Sequence, residues 1–66
     1  MKDKLENQMK EYIENIEQLG ADARYDFDLE YLGQLRIKLE SIEWWAKKAQ
    51  KVLDKIEKEE ENKENE

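Results

Sequence analysis

The hydrophobic pattern is densest between Leu29 and Ile56. Read in sevens, Leu32, Leu39, Ala46 and Leu53 share one recurring position, and Leu35, Ile42, Ala49 and Ile56 share another. Both rows are apolar throughout, as in a helix packed along a seam against other helices. The spacing predicts a long helix over about 28–58. Tyr31, Trp45 and Val52 border the two rows and widen the apolar arc to nearly half the helical wheel. An arc of that width suits contact with two neighbouring helices rather than one.

A narrower stripe precedes it. Leu5, Met9, Tyr12, Ile16 and Leu19 alternate by four and three, with Ile13 beside them, which predicts a first helix over about 3–19. Gly20 follows directly and reads as the C-terminal cap, where glycine takes the left-handed conformation at little cost. Residues 20–27 then form a loop. Asp22, Asp26 and Asp28 compete to cap the second helix by accepting its free backbone N–H bonds. Tyr25 and Phe27 are expected to cover the hairpin end of the core. Residues 59–66 have no apolar anchor and crowd acids at a helix C-terminus, so they are expected to form an acidic, disordered tail.

A short connection makes two long helices antiparallel neighbours, a hairpin occupying residues 1–58. Folding at 20–27 sets Leu19 near Leu32, Ile16 near Leu35, Tyr12 near Leu39 and Met9 near Ile42, with Leu5 reaching Trp45 and Ala46. The second helix then overhangs the first by about ten residues, roughly 15 Å at 1.5 Å per residue. Ala49, Val52, Leu53 and Ile56 are left without a partner in the same chain. Two helices also cannot enclose a core. Both points predict an all-α fold in which hairpins dimerise about a twofold axis into a four-helix bundle. Its core or dimer residues are Leu32, Leu35, Leu39, Ile42, Trp45, Ala46, Ala49, Val52, Leu53 and Ile56.

Composition narrows the chemistry. The chain has 66 residues and a net charge of −6, with no cysteine, histidine or proline. Disulfides, Cys/His zinc sites, thiol chemistry and histidine proton transfer are therefore excluded. A small scaffold without such reinforcement commonly gains stability by forming oligomers. No apolar run resembles a signal peptide or spans a bilayer, which predicts a soluble cytoplasmic protein. Glu14 with Glu17 and Glu40 with Glu43 are at helix-surface spacings, where ion pairs such as Glu43 with Lys47 are ordinary. No catalytic residue, cofactor or metal site is expected.

The charge is uneven. Residues 1–31 carry −5, residues 32–56 carry +3 and residues 57–66 carry −4. Within the basic segment, Ile37 and Trp44 are seven apart and project away from the seam, and Lys48, Lys51 and Lys55 continue along that face. Tryptophan is enriched at binding hot spots. The expectation is a non-enzymatic protein–protein interaction module, a small regulator or inhibitor acting as a homodimer. Its docking candidates for a protein partner are Ile37, Trp44, Lys48, Lys51 and Lys55. One alternative is a structural assembly subunit whose second face builds larger oligomers. Another is a phage-encoded acidic inhibitor that mimics nucleic acid through Glu57–Glu66. Direct binding to nucleic acid or membranes runs against the acidic balance.

Overall fold

The computed structural model describes residues 3–64, with side chains over 4–60. Two helices, α1 (Asp3–Asp28) and α2 (Leu32–Glu64), pack as an antiparallel hairpin about 54 Å long. The described residues are all-helical apart from the turn between them. The helix boundaries differ from those expected of the sequence, and each difference has a physical cause.

The first helix does not stop at Gly20. Its stripe of fours and threes continues beyond Leu19 through Ala23 and Asp26, both buried, so α1 runs nine residues further. Gly20 keeps an ordinary helical φ. A glycine inside a helix costs about 1 kcal/mol. Two more turns of backbone hydrogen bonds and a longer buried seam outweigh that.

The loop expected at 20–27 is therefore helix, and Asp22, Asp26 and Asp28 cap nothing at the start of α2. Reversal takes place in residues 29–31. Tyr31 N–H donates to the Asp26 carbonyl at 2.8 Å and Glu30 N–H to the Phe27 carbonyl at 3.0 Å. Glu30 sits between these bonds at φ 62°. This is a Schellman turn, which satisfies the last carbonyls of a helix and normally places glycine at the left-handed position. Here a glutamate holds it. The Tyr31 carbonyl then accepts from Leu35 N–H at 2.9 Å, opening α2 without an acidic residue in its first turn.

The second helix also continues beyond 58. Residues 59–64, expected to fray, are helical. They are mostly Glu and Lys, which lose little side-chain freedom in a helix. The remainder of the expected tail, residues 65–66, lies outside the described residues.

Moving the turn changes the register. Tyr12 packs against Trp45, ring centroids 5.4 Å apart, rather than against Leu39. Val52 and Ile56, expected to overhang, are only 6% and 8% exposed. The longer α1 covers them, because its first turns now stand level with the C-terminal part of α2. The helices differ by only seven residues (33 against 26), or about 10 Å. The overhang therefore gives no argument for a second chain.

The seam is rotated as well. The side of α2 facing α1 carries Leu35, Lys38, Ile42, Trp45, Ala49, Val52 and Ile56. Of the two rows read from the sequence, this seam keeps the one from Leu35 to Ile56. The other falls to one side, where Leu32, Leu39 and Leu53 are exposed and Ala46 is half-buried. One partner helix covers only one line of contact, so a two-row arc cannot be buried within a hairpin. Near the turn, Lys38 crosses the seam to Asp26, Nζ to Oδ2 3.3 Å.

Candidate interaction surfaces

The outer face of α2 is built around Trp44. Its ring stands edge-on to Trp45 at 4.9 Å and 84°, and Trp45 in turn meets Tyr12 of α1. Trp45 is half-buried at the seam, whereas Trp44 is 52% exposed. The three rings form a continuous path from the core to the surface. Lys48 closes it, its ammonium 4.2 Å from the Trp44 ring centroid and 6.0 Å from that of Trp45. A cation over an exposed aromatic face contributes about 0.5–1 kcal/mol. Trp44 thus contacts Trp45 and Lys48 while still open to solvent.

Ile37, Glu40, Ser41, Trp44 and Trp45 line an open depression of about 400 Å³ on this face. Ile37 is exposed, one heptad before Trp44, and Lys51 follows one heptad after. Lys55 follows Lys48 by the same interval and is exposed too. The five docking candidates therefore share one side of α2, but only Lys48 is engaged with the aromatic pair. That engagement was legible in the spacing, since Lys48 lies four residues from Trp44 and three from Trp45.

A second apolar surface lies on a different side. Leu39, Ala46 and Leu53 each follow a seam residue of α2 by four positions. Ile13, Gly20 and Phe27 likewise follow Met9, Ile16 and Ala23 of α1 by four. In antiparallel helices, positions displaced in the same sense from the seam fall on the same side of the pair. The two rows therefore form one face. Phe27 and Leu32 accordingly line a common depression of about 530 Å³ with Asp28 and Glu30. Leu32, Leu35 and Leu39 line another of about 370 Å³, rimmed by Arg36, Glu40 and Glu43.

The turn is the third exposed region. Tyr25 and Phe27 do not cover the hairpin end of the core; they are 64% and 61% exposed, and Tyr31 is exposed beside them. They point outward because helix persists through residues 20–28, which puts 23 and 26 on the buried line and 25 and 27 off it. The ion pairs within single helices are ordinary ones, Glu43 with Lys47 at 3.0 Å and Glu6 with Lys10 at 3.5 Å.

No helix among the described residues is long and apolar enough to cross a membrane. No family model, curated protein or solved structure matches this chain.

Proposed function

We propose that the chain is a non-enzymatic interaction module, a small cytoplasmic regulator or inhibitor that acts as a homodimer and docks another protein through the outer face of α2. The observation that carries this reading is Trp44. It stays half exposed although it contacts Trp45 on one side and Lys48 on another. Tryptophan anchors are common in interface hot spots, where their large ring area is desolvated. The lysines beside it suit a partner with an apolar socket and an acidic rim.

The test is cross-linking and affinity capture from the native host with the wild-type chain, Trp44→Ala and Lys48→Glu. A genuine docking face gives one partner, recovered with purified protein, whose binding falls at least tenfold in both variants while helicity and oligomeric state are kept. A partner retained by Trp44→Ala would remove this face from the function. Growth of wild-type assemblies beyond the dimer, abolished by Trp44→Ala, would instead favour a structural assembly subunit.

A further inference from the structure

The outer face of α2 continues past Trp44 in a regular line. Ile37, Ser41 and Trp44 are followed by Lys48, Lys51, Lys55 and Lys58, in alternating steps of four and three. Such steps keep one stripe of a helix aligned, here for about 31 Å at 1.5 Å per residue. The lysines are exposed, as are Ile37 and Trp44, and Ser41 is half-buried.

Nothing inside the hairpin accounts for the basic row. Lys10, Lys38 and Lys47 each stand 3.0–3.5 Å from a carboxylate. Among the described residues, no carboxylate comes within ion-pair distance of Lys48, Lys51 or Lys55. Like charges three and four apart on a helix repel, so the row works against the isolated hairpin. It also ends more than a turn before Glu64, too far for the dipole of α2 to favour it. A chain of net charge −6 thus carries an unneutralised basic row on one helix face.

We propose that this stripe seats an acidic amphipathic helix of another protein. The inference rests on the reading of this face as a protein-docking surface and names the chemistry of the partner. Steps of four and three are how one helix meets another along its length, knobs into holes. Trp44 enters a hole between apolar side chains of the incoming helix. One of those side chains enters the depression of about 400 Å³ beside Ile37 and Ser41. Counted from Ser41, Lys48, Lys51 and Lys55 stand seven, ten and fourteen residues on. An apolar anchor level with Ser41 therefore needs carboxylates at those same distances along the partner. A nucleic acid or an anionic membrane fits less well. Either extends beyond the lysines, where it meets Glu59 and Glu60 at one end and Glu40 and Glu43 at the other. A short helix carries carboxylates only where the lysines are.

Two synthetic helical peptides without tryptophan test this, read by the emission of Trp44 and Trp45 in the full chain. Both carry a leucine anchor and three glutamates. In one the glutamates follow the anchor at seven, ten and fourteen; in the other they are moved to the opposite face. The first should bind and shift the emission to shorter wavelength, and the second should bind at least about tenfold more weakly. Lys51→Glu combined with Lys55→Glu leaves Lys48 over the Trp44 ring and alters only exposed positions, so helical circular dichroism should be kept. That variant should bind the first peptide at least about tenfold more weakly and regain affinity when the peptide glutamates become lysines. No binding of the first peptide, equal binding of both, or loss without this rescue overturns the acidic helix. Tighter binding of a single-stranded oligonucleotide or of phosphatidylserine vesicles than of the first peptide overturns it in favour of a polyanion. A host protein lost with Trp44→Ala but kept by the double lysine variant overturns the acidic helix and leaves the docking face standing.

Discussion

Lys38 Nζ stands 3.3 Å from Asp26 Oδ2, joining the helices at positions where both seams would otherwise carry apolar side chains. Asp26 takes the slot after Ala23 on α1, and Lys38 the slot between Leu35 and Ile42 on α2. Their side chains are 11% and 26% exposed, so both lose much of their hydration. Such a pair adds little stability over apolar residues of similar size, but it penalises any other register. Sliding one helix by a turn would press each charge against an apolar neighbour. The pair therefore fixes where the hairpin closes.

Lys38→Met is expected to destabilise the hairpin by about 1–3 kcal/mol, because it strands a buried carboxylate. Adding Asp26→Leu should recover most of that loss or exceed wild type, as replacing whole buried ion pairs often does. Urea melts of the four chains in this cycle measure the coupling. A value near zero would mean that the two charges do not sense each other.

Glu30 occupies a left-handed position that costs a non-glycine residue about 1–2 kcal/mol. Glu30→Gly is thus expected to raise stability by up to about 1 kcal/mol, the glycine's greater freedom when unfolded offsetting part of the relief. Thermal melts check this. A loss of stability would imply a favourable contact by the Glu30 side chain.

The register predicts unequal effects at neighbouring positions. Ile56→Ala should cost about 2–3 kcal/mol, since it empties a site covered by α1 within the same chain. That cost should not vary with protein concentration. Leu53→Ala, at a 44% exposed position, should cost about 1 kcal/mol or less within the hairpin, and more, in a concentration-dependent way, only if a second chain covers that row. Melts at two concentrations a hundredfold apart separate the cases; a concentration-dependent loss at Ile56 contradicts the register.

The two tryptophans should respond to different degrees. Trp45→Ala opens the seam beside Tyr12 and should cost about 2–4 kcal/mol, somewhat below a fully buried aromatic. Trp44→Ala removes an exposed ring with its Trp45 edge contact and Lys48 cation, and should cost about 1 kcal/mol. Equal losses would place Trp44 in the core.

Two long amphipathic helices were legible in the chain by itself, because a 3.6-residue period places Leu5 to Leu19 on one stripe and Leu35 to Ile56 on another. The outward face of Ile37 and Trp44 was legible for the same reason. The position of the turn was not. Gly20 carries the strongest local stop signal, and Leu29-Glu30-Tyr31 carries almost none, yet the chain reverses at the second. Local signals are worth about 1 kcal/mol each. The longer seam buries Ala23, Val52 and Ile56 together and pairs Asp26 with Lys38, contacts that exist only once the helices are side by side. Which of the two apolar rows faces inward was settled the same way. The sequence marks both rows as apolar, but one partner helix covers only one of them, and tertiary packing decided that Leu32, Leu39 and Leu53 stay outside.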